Sequence, residues 1–175
     1  MKRNMSLWQL MGFAVTSLGG TLLHFLYDWT NQSLWAAPFS GVNESTWEHM
    51  KLLYFPLFLF AIVQSRFFRD RRDFFCVKLR GILLGLTLIP ELFYTLNGVF
   101  GKTPDWVNIA IFFISAAAVY WMENRWFQNR HAACRYPHLA FAVICLIGIL
   151  FVLFTFYPPA IPLFEDPVTG GYGLI

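Results

Sequence analysis

The sequence predicts an all-α integral membrane bundle of five transmembrane helices, and three observations carry that prediction. The chain has 175 residues, of which 57% are hydrophobic and 13% charged, against about 25% charged in ordinary soluble domains. Its apolar residues gather in five runs, each near the ~20 residues that a helix needs to cross a bilayer. The runs are continuously apolar, without the alternation of a barrel strand, and a closed barrel would need more strands than these runs supply. Too little polar surface remains to cover such a chain in water, so lipid must be the solvent for much of it.

The first run, Leu7 to Tyr27, follows Met1-Lys2-Arg3 and so imitates a secretory signal. It is too long for one and lacks a small-residue cleavage site, so it is expected to stay as the first span. The second, Trp47 to Gln64, begins behind Ser45-Thr46-Trp47-Glu48, which fits a capping box. The third runs from Val77 to Phe100, the fourth from Trp106 to Met122 and the fifth from Leu139 to Tyr157. Residues 1–157 therefore read as one transmembrane domain. The tail 158–175 opens on Pro158-Pro159 and holds Gly170-Gly171, which predicts a non-helical segment. Apolar between its acids, the tail reads either as a lid over the bundle or as a mobile end. The stretch Trp29 to Ser45 is too apolar for a solvated loop and is expected to lie in the interface or dip back towards the bundle.

Orientation follows from the basic residues. With Lys2 and Arg3 inside, Arg66, Arg69, Arg71, Arg72, Lys78, Arg80, Arg125, Arg130 and Arg135 fall inside as well, eleven of the 13 Lys and Arg. Lys51 and Lys102 remain outside. The positive-inside rule then sets a cytoplasmic N-terminus and an extracytoplasmic C-terminus. The net charge of +3 reports this topology and carries no nucleic-acid reading. Cys76, Cys134 and Cys145 fall at the inner face or within the fifth span, show no C-x-x-C spacing, and are expected to be reduced.

Ionisable groups near the outer surface are the candidate site, because charges in apolar segments are costly and mark a site or a strong pairing. In the first span Gly12, Thr16, Gly20, His24 and Asp28 recur every four residues and share one face. Their small members direct that face at neighbouring helices. In the second span Glu44 and Glu48 stack one turn apart, so a cation, either Lys51 or a metal, is expected between them. His49 lies on the Ser45 side of that helix. In the third span Glu91 follows Pro90 directly, and Thr87, Glu91 and Tyr94 share a face. His24, Glu48, His49 and Glu91 all fall in one layer below the outer headgroups.

Histidines with carboxylates at one depth are the ligand set of a divalent metal such as zinc, here His24, Asp28, Glu48 and His49. Without metal the same set is a general acid/base assembly. Glu48, His49 and Glu91 are the candidate catalytic residues; Asn43, Glu44, Lys51 and Tyr94 are the candidate binding residues. Each has a plain structural alternative, a cap for Glu48 and a helix fastener for Glu91 or His24.

The string Val42 to Lys51, with His24-Phe25-Leu26-Tyr27-Asp28 upstream and Phe164 to Tyr172 at the end, resembles a family of small bacterial integral membrane proteins of unknown function. The resemblance rests mainly on Asn43-Glu44-Ser45-x-Trp47-Glu48-His49. It implies a multi-pass protein of the bacterial cell membrane and assigns no catalytic residue.

Three functions stay open on these residues. One is a metal-assisted or acid/base hydrolase or transferase acting on a lipid or lipid-linked group. Another is an ion- or proton-coupled transport protein, disfavoured because the inner halves of the spans read as almost purely apolar. The third is a non-catalytic assembly partner. Membrane lipids are the expected partners, and homo-oligomers are compatible with all three.

Overall fold

The computed structural model of the protein describes residues 4–129 and 134–174. Lys2, Arg3 and Arg130, counted above among the basic residues, lie outside the described residues. Five helices follow one another: α1 (Met5–Trp29), α2 (Thr46–Phe67), α3 (Phe74–Phe100), α4 (Asp105–Gln128) and α5 (Pro137–Phe156). All five are long and apolar enough to cross a membrane. Leu10, Leu18, Leu22, Leu59, Leu83, Ile114, Leu146 and Ile149 are exposed along the outside of the bundle, which is consistent with lipid contact.

Local chemistry sets the helix ends. The Asn4 side chain caps α1 by accepting from the Ser6 and Leu7 amides at 3.1 and 3.4 Å. Ser45, in extended conformation, accepts from the Glu48 amide at 3.4 Å and starts α2. Pro137 begins α5, where its missing N–H costs nothing. Every helix starts one to three residues before its predicted span. α3 starts at Phe74 rather than Val77, and α4 continues to Gln128 rather than Met122. The predicted fourth span stops just before Glu123; in the fold Glu123 and Lys78 neutralise each other inside the bundle, so α4 runs on past that charge.

α2 is the central helix and packs against all four others. Around it α1 packs on α4, α4 on α3 and α3 on α5, leaving a gap between α5 and α1. The loop after α1 fills that gap at one end of the bundle. Ala36 and Ala37 are fully buried, and the Phe39 ring packs on Phe55 at 5.1 Å. The loop also alters α1 itself. The Ser40 hydroxyl donates to the Leu23 carbonyl and accepts from the Tyr27 amide, the pair that would otherwise bond directly as i and i+4. This inserted hydroxyl opens the helix around His24.

One expectation about the cysteines is corrected. Cys76 and Cys134 form a disulfide with their Cα atoms 5.9 Å apart, while Cys145 is free. Sequence spacing gave no sign of it, because the pair is 58 residues apart and meets only when the start of α3 comes beside the segment leading into α5. Arg66, Arg69, Arg71, Arg72 and Arg125 lie at this same end of the bundle, called the basic end below. The tail after α5 contains no helix among its described residues and lies across the opposite end.

Candidate functional site

At the end opposite the basic residues, three side chains converge from α1, the loop and α2. Glu44 points one carboxylate oxygen at His24 Nε2, 3.8 Å away, and the other at His49 Nε2, 3.5 Å away. The two imidazole rings lie 5.9 Å apart, centre to centre. His49 is fixed from behind: its Nδ1 stands 3.0 Å from the Ser45 carbonyl, which can only accept, so Nδ1 carries the hydrogen. Nε2 then faces Glu44. At 3.5–3.8 Å these are close approaches rather than hydrogen bonds.

The trio forms one wall of a cavity of about 520 Å³, within the ~300–1,000 Å³ range of small-molecule sites. Phe25, Phe93, Phe112, Phe113 and Ile109 give it apolar walls, Lys102 and Asn108 add polar groups, and Pro167 and Val168 of the tail close one side. The Asn97 amide accepts from the Thr103 N–H at 2.9 Å and donates to the Phe93 carbonyl at 2.8 Å, which holds the turn that carries Lys102. Asn108 is different. Its Oδ1 is buried with no hydrogen-bond partner among the described residues, and a small void of about 10 Å³ separates it from Thr46 and His49.

A family model described as a family of unknown function, DUF6512, matches residues 1–174. The chain belongs to that family. No curated protein and no solved structure matches it.

For this DUF6512 protein the geometry sorts the sequence-predicted residues sharply. His24, His49 and Glu44 come together; Glu48, Glu91 and Asp28 do not join them. Glu48 is only 2% exposed. Its Oε2 is 2.5 Å from Lys51 Nζ and accepts from the Val42 amide at 3.0 Å. Lys51 donates as well to the Ala37 carbonyl and the Thr155 hydroxyl, both at 2.9 Å. The pair thus ties the loop, α2 and α5 together and does not open on the cavity. The expected cation between Glu44 and Glu48 is corrected for the same reason. Ser45 is extended, so Glu44 lies outside the helix, and the two carboxylates take separate partners.

Glu91, Thr87 and Tyr94 do share a face, but it is an exposed face of α3. Glu91 has no ion pair among the described residues, Thr87 bonds back to its own helix, and the Tyr94 hydroxyl donates to the Pro162 carbonyl at 3.0 Å. Asp28 is exposed at the end of α1 and also lacks an ion pair there. Among the described residues no group of three or more His, Cys, Asp or Glu side chains is arranged to hold a metal ion.

Sequence reasoning passed over Lys102 and Asn108. The usable signals were slight: Lys102 is one of two basic residues at this end, and Asn108 is an amide just inside an apolar run. Asn43 proves to be an anchor. Its side chain accepts from the Ser45 amide and donates to the Gly173 carbonyl, both at 3.0 Å, fastening the tail beside Glu44. Trp47 holds the tail too, through its amide to the Leu163 carbonyl at 3.0 Å and its ring on Phe164 at 4.6 Å. Asn43→Ala is expected to cost about 1–2 kcal/mol and to make the tail cleavable in limited proteolysis while the helices stay protected.

Proposed function

We propose that this is a multi-pass protein of the bacterial cell membrane, its N-terminus in the cytoplasm, that performs acid/base hydrolysis or group transfer on a lipid or lipid-linked group in the outer leaflet. The crowding of basic residues at one end supports the orientation. The observation that carries the chemistry is the His24–Glu44–His49 trio, set into a 520 Å³ cavity whose remaining walls are mainly aromatic.

In this reading His49 is the general base and acid at Nε2, and Glu44 orients it and carries the compensating charge. His24 shares the same carboxylate and relays a proton to or from it. Lys102 attracts an anionic head group, and Phe25, Phe112 and Phe113 hold an acyl or prenyl chain. The tail 158–174 acts as a lid through Pro167 and Val168.

The test is turnover of a panel of phospholipids and lipid-linked phosphates by purified protein in nanodiscs, with bound lipid followed by native mass spectrometry. His49→Ala is expected to slow turnover by about 10²–10⁴-fold and leave lipid binding in place. Glu44→Gln should do the same, whereas Glu91→Gln should do neither. Bound lipid without turnover of any member of the panel would reduce the site to a binding site.

A further inference from the structure

A second polar feature runs through the bundle from the cavity towards the basic end, and the lipid chemistry makes no use of it. The inner halves of the helices were read as apolar; buried inside them are Gln9, Thr16 and Ser17 of α1, Gln64 of α2, Lys78 of α3, and Ser115 and Glu123 of α4. On α1, α2 and α4 they continue the helix faces that bear His24, His49 and Asn108 at the cavity. From Asn108 to Glu123, α4 advances roughly 22 Å at ~1.5 Å per residue, most of the ~30 Å of a hydrocarbon layer.

Several contacts fix the levels of this seam. Pro56 has no N–H to offer the Leu52 carbonyl, which faces Gly20 beside the cavity. Below it, Thr16 Oγ1 and the Tyr120 hydroxyl are 2.7 Å apart. Next, Lys78 Nζ donates to Glu123 Oε2 at 2.6 Å, with neither side chain exposed. Gln9 and Gln64 turn their amide nitrogens to the same Met5 sulfur, 3.6 Å from each.

The oxygens left over are the decisive observation. Ser17 Oγ, Ser115 Oγ, Gln9 Oε1, Gln64 Oε1, Glu123 Oε1 and Asn108 Oδ1 are buried with no hydrogen-bond partner among the described residues. In hydrocarbon an unmet polar group costs several kcal/mol, so a row of them at successive depths calls for a common partner. Water is the partner that suits them, since each buried water makes ~3 hydrogen bonds. The 10 Å³ void between His49 and Asn108 sits at the lower limit of ~10–15 Å³ that one water needs.

We propose that this seam is a hydrated proton path linking the cavity to the Lys78–Glu123 pair. A proton enters from cavity water at His49, hops along the water file past Ser115 and Thr16–Tyr120, and lands on Glu123 Oε1, the free carboxylate oxygen. Glu123 becomes neutral and Lys78 keeps its own proton. The ammonium stays compensated because the rings of Tyr120, Phe74, Phe60 and Phe127 surround it at 5.3–6.0 Å. The proton then leaves by the Gln64 and Gln9 oxygens at the basic end, and Glu123 is ionised again. No bond other than O–H and N–H is made or broken. The path does not depend on the lipid chemistry, and a protein that turns over no lipid could still carry it.

The experiment is proton uptake by proteoliposomes under a valinomycin-set potassium diffusion potential, read with an internal pH dye against protein-free vesicles. Wild-type protein is expected to pass protons above that background, and Glu91→Gln, on the outer face of α3, to match it. Glu123→Gln, which keeps shape and removes the acceptor, should fall to background. So should Ser115→Val, which blocks the file midway and disturbs no charge, with thermal melts of each seam variant read beside its flux. Flux at background in the wild type overturns the path, as does wild-type flux in either seam variant.

Discussion

Lys51→Met is expected to destabilise the protein by about 3–5 kcal/mol, the cost of stranding one member of a buried ion pair. All three Lys51 N–H groups are committed, to Glu48 at 2.5 Å and to Ala37 and Thr155 at 2.9 Å. Methionine fills the space and supplies none of them. Glu48 would keep only the Val42 amide, and the Ala37 carbonyl would lose its donor inside the protein. The loop held by these bonds also carries Glu44, so the single variant should lose the His24–Glu44–His49 geometry along with stability. Replacing both charges, Lys51→Met with Glu48→Leu, should recover most of the thermal stability, since apolar groups of similar volume often match a buried pair. Thermal melts of the single and double variants in one detergent make the comparison.

The helices were legible because hydrocarbon imposes a single length on any segment that crosses it. Their ends were less so, and Glu123 shows why. A charge in an apolar run normally marks its end, and only the partner 45 residues away tells that this one lies inside. The Cys76–Cys134 disulfide escaped for the same reason. Both depend on which helix packs beside which, and no local pattern encodes that.

Within the site, His24 was legible from the Gly12–Thr16–Gly20 stripe, because small residues mark where helices approach. The Gly20 position meets the Phe112 ring and the Leu52 carbonyl so closely that no side chain would fit. Glu91 misled because a carboxylate in an apolar helix signals importance without direction. Lipid and bundle core are equally apolar, so hydrophobic pattern does not tell which way its face turns. Glu44 and Glu48 were read as stacked on one helix. Ser45, at φ −68° and ψ 153°, breaks the helix between them and sends the two carboxylates to different partners. The capping box is likewise half present. Ser45 accepts from the Glu48 amide, but the Glu48 carboxylate takes the Val42 amide instead of reaching back to Ser45.

The second large effect is expected at the other buried pair, and it should be asymmetric. Lys78→Met removes the only hydrogen-bond donor that Glu123 has among the described residues, and should cost about 3–5 kcal/mol. Glu123→Gln should cost markedly less. Glutamine keeps the volume against Gly81, where Glu123 packs too tightly for any Cβ. The ammonium it leaves unpaired still faces four aromatic rings, and such contacts are worth about 2 kcal/mol or more when desolvated. Thermal melts of the two single variants test the order; equal losses would mean that the rings contribute nothing to holding Lys78. Lys78→Met combined with Glu123→Leu should then melt near or above the wild type, because a packed apolar pair avoids the desolvation that the charges incur. A charged pair that could be replaced without loss of stability is not retained for stability. In this bundle it stands within the row of unmet oxygens, between Ser115 and the Gln9 and Gln64 amides, so the double variant should keep its fold and lose proton flux together with Glu123→Gln.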